Sequence, residues 1–310
     1  MISFILTYRS GGIHREKNLQ YCLRWIDRLP VKKEILIVEQ DSEFKLTQPL
    51  IDSACRLVNA YNPGLFNRSW GFNVGARLAC YDWFVFTDSD LVLSNNLMLS
   101  AFDALSTTDA INPYRSVLDL NAETTQELVR GERNMDLLVA SDGSYREGLN
   151  FSGGMLLIKR TAFEMIGGWP EYIRGWGRED NILSEQIASK LSHQTLPGTA
   201  YHLFHPAEGL ITHRYSELNT WFLEHPDQRP SGAIGSINKH RGLYGLREWL
   251  RDLPYGRIIS SYYHYQMITH ARNRQTGRFL VSLCRALSYH PLSAAIWKTC
   301  LRYLSGKVAT

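Results

Sequence analysis

Two aspartates follow a run of apolar residues in the segment FVFTDSDLVL, residues 84–93. Asp88 and Asp90 would lie close together at the end of a buried strand, where repulsion and desolvation are costly unless a cation compensates them. Carboxylate oxygens bind hard divalent cations, and a diphosphate would supply further oxygen ligands. The pattern predicts a site for a divalent cation and a phosphate-bearing ligand, although Asp-Ser-Asp also forms ordinary turns and helix caps.

The segment RGWGREDN, residues 174–181, is a second candidate site. Trp176 stands between two glycines, and Glu179 and Asp180 precede the helical run ILSEQIASKL. Glycines let a loop approach a ligand, tryptophan stacks on sugar rings, and a carboxylate can take a proton from an attacking hydroxyl. The alternative is simple capping, because acidic residues are favoured at helix N-termini.

The segment TAYHLFHP, residues 199–206, contributes two histidines three positions apart. Lone histidines in strands are commonly structural, and positions three apart in a regular strand face opposite sides. His202 and His205 can therefore bind one metal only if the chain turns before His205. With Asp90 and a phosphate, an imidazole would favour manganese.

Short β-rich runs alternate with helix-length segments in the first half of the chain. ISFILT, EILIVEQD, CRLVNAY and WFVFTD predict strands, and HREKNLQYCLRWIDRL and NRSWGFNVGARLAC predict helices. This is the α/β pattern of a mostly parallel sheet covered by helices. Ligands bind such sheets at the carboxyl ends of the strands. The chemically active candidates follow three of the strands: Thr7 and Arg9, Glu39 and Asp41, Asp88 and Asp90.

The rest of the chain is less regular. No GxGxxG fingerprint or P-loop is present, so dinucleotide and P-loop functions lose their main support. Residues 95–149 are polar and would hold acceptor-facing loops, and helical patterns recur near residues 278–287 and 294–304. The five cysteines form no CxxC pair, which favours a reducing cytosol. No apolar run reaches the ~18 residues of a membrane span, and the N-terminus predicts a strand rather than a signal peptide.

The charge is unevenly distributed. Residues 214–310 contain 14 Lys and Arg against 5 Asp and Glu, and residues 253–310 contain 8 basic residues and no acidic ones. We expect a catalytic domain over 1–213 and a basic, mainly helical extension over 214–310. Such a tail suggests an anionic partner, a membrane surface or an acidic glycan, and helices that simply pack on the catalytic domain are the alternative.

Two ordered blocks resemble β-1,4-galactosyltransferases. FNRSWGFNVGARLACYDWFVFTDSDLVL is similar to the segment that joins their FNR motif, NVG helix and DxD strand. NFSGGMLLIKRTAFEMIGGWPEYIRGWGREDN is similar to their GG strand and G-W-G-x-E-D loop. Bacterial chondroitin-polymerase modules and polypeptide N-acetylgalactosaminyltransferases share parts of the pattern. The resemblance implies the GT-A fold, a UDP-sugar donor, Mn²⁺ or Mg²⁺, and inversion at the anomeric carbon.

The resemblance also implies roles for individual residues. Asp90 is implied as the metal ligand, Asp180 as the catalytic base and Trp176 as a sugar contact. The donor site would contain Thr7, Arg9, Glu39, Asp41, Arg68, Asn73 and Asp88. The sugar and acceptor site would add Gly153, Gly154 and Glu179. Galactosyltransferases use a Met-x-x-His metal pair, which matches His202 and His205, whereas the polypeptide enzymes use a single histidine, which matches His202 and is slightly favoured.

The chain departs from the galactosyltransferase pattern near the implied acceptor site. Arg178 stands where those enzymes have glycine, and Asn181 where they have a further aspartate, so the acceptor identity does not carry over. The exchange of Asp-Val-Asp for Asp-Ser-Asp should be harmless. The resemblance fades after about residue 213 and leaves the basic tail unexplained.

The expected function is metal-dependent, inverting transfer of a hexose or N-acetylhexosamine, of galactose or N-acetylgalactosamine type, from a UDP-sugar. The acceptor would be a glycan or glycolipid hydroxyl in surface polysaccharide or glycoconjugate synthesis. An inactive sugar-binding protein and a metal-dependent nucleotide-sugar phosphohydrolase are the alternatives. We expect a cytoplasmic protein, peripheral at the inner face of the cell membrane, with no nucleic-acid partner.

Overall fold

The computed structural model describes residues 1–46, 55–147, 149, 151, 153–173, 175, 177–206, 216–230, 234–235 and 256–305. The chain divides into two compact units. The first comprises Met1–Asn219 with Ser231–Lys239, and the second comprises Thr220–Pro230 with His240–Thr310. All of the candidate site residues belong to the first unit.

A seven-stranded mixed sheet forms the centre of the first unit, in the order β10-β6-β9-β4-β1-β2-β3. Its strands are β1 (Ile2–Tyr8), β2 (Lys33–Asp41), β3 (Arg56–Tyr61), β4 (Trp83–Thr87), β6 (Ala110–Asn112), β9 (Met155–Lys159) and β10 (His193–Thr195). β1 lies parallel to both β2 and β4, whereas β9 is antiparallel to its neighbours β4 and β6. Every residue of β1 is buried, as expected for a central strand covered on both faces.

A second, four-stranded sheet has the order β5-β11-β7-β8. Its strands are β5 (Leu91–Leu93), β7 (Ser116–Leu120), β8 (Gly143–Arg146) and β11 (Thr199–His202). β11 pairs antiparallel with β5 and parallel with β7. The chain therefore leaves the large sheet at the end of β4 and enters the small sheet at β5, and the aspartates of the DSD segment lie in the link between them.

Helices surround these sheets and form the core of the second unit. They are α1 (Ile13–Arg28), α2 (Arg68–Leu78), α3 (Asn95–Asp103), α4 (Ala122–Arg130), α5 (Arg160–Met165), α6 (Glu179–Lys190), α7 (Ser216–Glu224), α8 (Gly256–Arg272), α9 (Thr276–Tyr289) and α10 (Ala294–Leu304). Helix α2 lies unusually close to β1 because of its glycines. A Cβ on Gly71 would come within 2.0 Å of the Thr7 hydroxyl oxygen.

The second unit contains a small core of its own. Met267 of α8, Phe279 of α9 and Ile296 of α10 are buried together, and the Tyr303 ring stacks on Phe279 at 3.9 Å between centroids. The helical patterns near 278–287 and 294–304 correspond to α9 and α10, which confirms the prediction of C-terminal helices. Within the described part of the chain, no helix combines the length and the apolar character needed to cross a membrane.

Residues 95–149 are more regular than the sequence predicted. They form α3, β6, β7, α4 and β8, and so supply two strands of the small sheet. The expectation of a less regular segment is therefore wrong for most of these residues, whereas the expectation that the segment holds acceptor-facing loops stays a prediction. Helix α4 of this segment buries Thr124, Thr125 and Leu128 on its inner face.

Candidate metal and donor site

Strand register brings three polar side chains to one point of the small sheet. In the pairing of β11 with β5, His202 lies opposite Leu91, the residue that follows Asp90. In the pairing of β11 with β7, the same histidine lies opposite Asp119. The Leu203 amide donates to the Asp90 carbonyl at 2.8 Å, so the backbone holds the end of β11 against the DSD link.

Asp90, His202 and His205 form a cluster that could hold a metal ion, with one ligand atom of each within 4.8 Å of the others. His202 Nε2 lies 3.6 Å from Asp90 Oδ1, and His205 Nε2 lies 3.3 Å from Asp90 Oδ2. β11 ends at His202, so the chain is no longer a strand at His205 and both imidazoles reach the same carboxylate. The condition that the sequence set for this, a departure from regular strand geometry before His205, is met.

Asp119 contacts the other nitrogen of His202. Its Oδ1 lies 3.0 Å from His202 Nδ1, and the Arg146 guanidinium binds both oxygens of the same carboxylate at 2.5 and 2.7 Å. A carboxylate on one ring nitrogen fixes the ring orientation and favours the tautomer whose second nitrogen is available as a ligand. Asp119 therefore positions His202 Nε2 toward Asp90.

The charges at the cluster shift its pKa values. Burial would raise the pKa of Asp90, but His202, His205 and Arg15 outweigh burial and lower that pKa to about 2. Burial would lower the pKa of His202, and the nearby carboxylates Asp90 and Asp119 raise it above its ordinary value. Asp90 is therefore an ionised carboxylate at neutral pH, the form that binds cations.

Arg68 contacts both Asp88, in the link between β4 and β5, and Asp180, at the start of helix α6. Its Nε lies 2.6 Å from Asp88 Oδ1, and its Nη1 lies 2.7 Å from Asp180 Oδ1. The guanidinium also lies 5.0 Å from the ring centroids of both Phe72 and Trp169, which fixes its plane. Burial would lower the pKa of Arg68, but Asp180 and Asp88 raise it well above its ordinary value, so the group stays charged.

Helix α6 begins one residue before Asp180. Arg178, in the left-handed conformation with φ of 80°, occupies the N-cap position and makes no side-chain capping hydrogen bond. Asp180 lies in the first turn of the helix, where acidic residues are favoured, and its carboxylate also contacts Arg68.

Glu179, beside Asp180, is only 6% exposed, and its Oε2 atom is buried without a hydrogen-bond partner. Burial and the neighbouring Asp180 raise the pKa of Glu179 to about 7, so its carboxyl group is about half protonated at neutral pH and largely protonated below it. Orphaned polar atoms in a buried site commonly mark a place where a ligand completes the hydrogen bonding.

Gly153 and Gly154, which precede β9, lie near Asp88 and Tyr114. The Asp88 amide donates to the Gly154 carbonyl at 2.9 Å, and the Tyr114 hydroxyl donates to the Gly153 carbonyl. Gly154 has φ of 91°, and a Cβ there would lie 2.8 Å from the Tyr114 oxygen and 3.7 Å from Asp88 Oδ2. Only glycine fits this position without strain.

The remaining donor-site candidates lie at the predicted strand ends but bind protein atoms. Arg9 donates to the carbonyls of Gln40, Asn62 and Gly64 at 2.7 to 2.8 Å, which ties the chain after β3 to the sheet. Thr7 Oγ1 accepts a hydrogen bond from Gln40 Nε2 at 2.8 Å. Glu39 Oε1 accepts from the Lys45 amide at 2.8 Å, and Asp41 Oδ1 accepts from the Ser42 amide at 2.7 Å.

Asn73 is fully buried and hydrogen-bonds to protein atoms. Its amide nitrogen donates to the Trp169 carbonyl and to Glu171, and its oxygen accepts from the Trp169 amide. Asn73 therefore holds the segment that places the Trp169 ring beside Arg68. Trp176, the expected sugar contact, lies outside the described residues.

Sequence reasoning missed Asp119, Arg146 and Arg15 as parts of the site. Arg15 of α1 approaches Asp90 Oδ2 at 3.9 Å. The segment SVLDL does not alternate regularly, and Asp119 shares a face of β7 with the buried Val117, so the local sequence gave no signal for this residue. Only the pairing of β7 with β11 shows that this face meets His202.

Comparisons with known proteins support the fold and match one segment of the chain. The family model described as the N-terminal domain of galactosyltransferase matches residues 136–206. Staphylococcus aureus TarS 1-349 is similar in structure, with a TM-score of 0.52 and 10% identity over 94% of this chain and 92% of that one. No curated protein sequence matches the chain.

Two further solved structures show weaker likeness. A Drosophila β1,4-galactosyltransferase 7 variant, in complex with manganese, UDP-Gal and xylobiose, has a TM-score of 0.43 and 19% identity over 71% of this chain and 79% of that one. The Pyrobaculum calidifontis mannosyltransferase PcManGT, in complex with GDP-Man and Mn²⁺, has a TM-score of 0.47 and 13% identity over 99% of this chain and 87% of that one.

The chain has the GT-A fold of glycosyltransferases, with a mixed central sheet, covering helices and further helices at the C-terminal end. Together, this fold and the matched segment support a glycosyltransferase with a galactosyltransferase-like segment.

Proposed function

We propose that this protein transfers a hexose or N-acetylhexosamine, of galactose or N-acetylgalactosamine type, from a UDP-sugar to a hydroxyl of a glycan or glycolipid acceptor. The reaction would invert the anomeric carbon and belong to surface polysaccharide or glycoconjugate synthesis in the cytoplasm. One observation carries the proposal: the short DSD link places one aspartate in a metal-competent cluster, and Arg68 joins the other aspartate to Asp180.

The residues of the cluster fit a divalent cation. One ionised carboxylate oxygen and two imidazole nitrogens form a borderline-hard ligand set that suits Mn²⁺, and a diphosphate would supply further oxygens. Asp90, His202 and His205 would hold the cation, with Asp119 fixing the ring of His202. When bound, the cation supplies positive charge that stabilises the departing diphosphate.

Arg68 and Asp88 would orient the donor. The guanidinium lies beside two aromatic rings and holds the Asp88 carboxylate by two contacts, at 2.6 and 3.3 Å. Asp88 retains partial exposure and can accept hydrogen bonds from sugar hydroxyls of the donor. Because Arg68 contacts Asp180 as well, a single side chain would set the distance between the donor site and the proposed base.

Asp180 would act as the general base. Arg68 binds one of its carboxylate oxygens, and the other can accept the proton of the acceptor hydroxyl. The acceptor oxygen forms a bond to the anomeric carbon while the bond from that carbon to the UDP oxygen breaks, and the proton moves to Asp180. This single displacement inverts the anomeric centre and needs no covalent intermediate.

Glu179 would contribute as a neutral acid. A protonated carboxyl group can donate one hydrogen bond and accept another, so its orphaned Oε2 suits a sugar hydroxyl rather than a cation. A second ionised carboxylate beside Asp180 would compete with it for the proton. The raised pKa of Glu179 reduces this competition, because the protonated form predominates below about pH 7.

Product analysis tests the proposal. The protein would be incubated with manganese, a mixed glycan acceptor and, separately, UDP-galactose, UDP-N-acetylgalactosamine, UDP-glucose or GDP-mannose, and products identified by mass spectrometry. We expect one UDP-sugar to give a glycan heavier by one hexose or N-acetylhexosamine, with release of UDP. Sugar phosphate formed without an acceptor would instead identify a phosphohydrolase. Manganese-dependent UDP binding without either product would indicate a sugar-binding protein.

A further inference from the structure

Helix α10 exposes an apolar stripe on its outer face. The helix buries Ile296 and Cys300 on its inner face. Trp297, Leu301 and Leu304 follow at spacings of four and three residues, which places them on one stripe, and all three are exposed, Leu304 at 73%. An amphipathic helix normally presents polar residues to water, so this stripe needs a partner.

The loop before α10 extends the same surface. Leu292 is 89% exposed, the highest value among the exposed large hydrophobic residues of the described chain. The Trp297 indole nitrogen donates to the Pro291 carbonyl at 2.8 Å, which fixes the ring beside the loop residue that precedes Leu292. Because the indole nitrogen already makes a hydrogen bond within the protein, little free energy is lost when the Trp297 ring enters an apolar environment.

Basic residues border the stripe on one side. Lys298 and Arg302 each follow a stripe residue by one position, which places them about 100° further around the helix. Both are exposed. Residues 253–310 contain no acidic residue, so no carboxylate of this segment offsets their charge. We define the α10 face as Leu292, Trp297, Lys298, Leu301, Arg302 and Leu304.

We propose that the α10 face binds the surface of an anionic membrane. Apolar side chains would enter the boundary between headgroups and acyl chains, and the two cations would contact lipid phosphates, as in helices that lie in the plane of a membrane. A second copy of the chain fits this face less well, because it would bring four cations together without a carboxylate from either segment. Lipid phosphates supply the negative charge that a second copy lacks.

The expected contribution of the cations follows from the lipid surface potential. Each basic residue near an anionic surface strengthens binding about fivefold, so removing both should weaken it about 25-fold. Removing two leucines from the stripe should weaken binding about tenfold or more, because each would bury part of its side chain in lipid. The charge effect should disappear at high salt, where screening is strong.

Vesicle sedimentation of the full chain tests the proposal. One set of vesicles would contain phosphatidylcholine alone, and the other phosphatidylcholine with about one third phosphatidylglycerol, in low and in high salt. The charge variant is Lys298→Gln with Arg302→Gln, and the apolar variant is Leu301→Ser with Leu304→Ser. The matched control is Leu137→Ser with Met165→Ser, two equally exposed apolar residues of the first unit. Circular dichroism would check that each variant remains folded.

We expect the wild type to sediment only with the anionic vesicles, and less at high salt. Binding should weaken about 25-fold in the charge variant and about tenfold or more in the apolar variant. The control should partition like the wild type. The proposal would be overturned by equal partitioning of the charge variant and the wild type, or by a control that loses as much as the apolar variant. It would also be overturned if, without lipid, the chain formed dimers that the apolar variant abolished. These outcomes do not depend on sugar transfer, so they are separable from the proposed activity.

Discussion

The buried Glu179 gives a quantitative prediction about stability. Its pKa is raised from 4.5 to about 7, mainly by burial and then by Asp180. Each pKa unit corresponds to about 1.4 kcal/mol between the two protonation states, so keeping this group ionised in the folded protein costs about 3 kcal/mol. Glu179→Gln replaces the carboxyl group with a neutral amide of similar shape and removes the cost.

The sign of the effect follows from the raised pKa. Below about pH 4.5 Glu179 is protonated in both the folded and the unfolded chain, and its contribution is at its most favourable. As the pH rises from about 4.5 to about 7, the unfolded chain releases this proton while the folded chain retains it, and the wild type loses stability relative to Glu179→Gln. The variant's free energy of unfolding, minus that of the wild type, should therefore rise by about 3 kcal/mol between pH 4.5 and 7.

The assay is urea unfolding of the metal-free protein at several pH values. A brief hydrogen-exchange pulse at one fixed pH would report the folded fraction of the first unit from β1 and β4 peptides, which separates it from the second unit. The exposed Glu164 offers the matched control Glu164→Gln, expected to keep the wild-type pH dependence. A difference between Glu179→Gln and the wild type that stays constant over this pH range would refute the account of a buried, protonated Glu179.

Further predictions concern the side chains that surround the site. Asp180→Asn should slow sugar transfer by about 10² to 10⁴ while manganese-dependent UDP binding survives, as transfer assays and calorimetry would show. Asp119→Asn should weaken manganese binding about 10- to 100-fold, measured by electron paramagnetic resonance, whereas Asp136→Asn on an exposed turn should not. Arg68→Lys keeps the charge but not the planar fork, so transfer should fall about 100-fold with protein stability measured in parallel. Gly154→Ala should lower both stability and UDP affinity, because its φ of 91° and the nearby Tyr114 oxygen leave no room for a methyl group.

The parts of the fold with strong local patterns were predictable from the sequence. β1, β2, β3 and β4 and the helices α1, α2, α9 and α10 correspond to the predicted segments because their apolar residues recur with the period of the element. The pattern of residues 95–149 was weaker. Strands β6 and β8 are short, and the small sheet depends on pairings between segments far apart in sequence, which local patterns do not record.

The site was predictable where residue types cluster along the chain. Asp88 with Asp90, Glu179 with Asp180, and His202 with His205 are neighbours in sequence, and the structure brings members of all three pairs into one region. Asp119 and Arg146 are single charged residues in ordinary strands, so nothing in their local sequence distinguishes them. Asn73 was assigned to the donor site by its position in a motif; its hydrogen bonds hold the Trp169 segment, and its role in the donor site stays a prediction.

Calorimetry of UDP binding, with and without manganese, tests the central claim most directly. The account predicts that the wild type binds UDP tightly only when manganese is present, because Asp90, His202 and His205 hold the cation that the diphosphate contacts. Asp90→Asn should abolish the manganese-dependent part of binding, whereas Asp180→Asn, with its change on the acceptor side, should retain it. UDP affinity that is the same with and without manganese, or unchanged in Asp90→Asn, would contradict the assignment of this site.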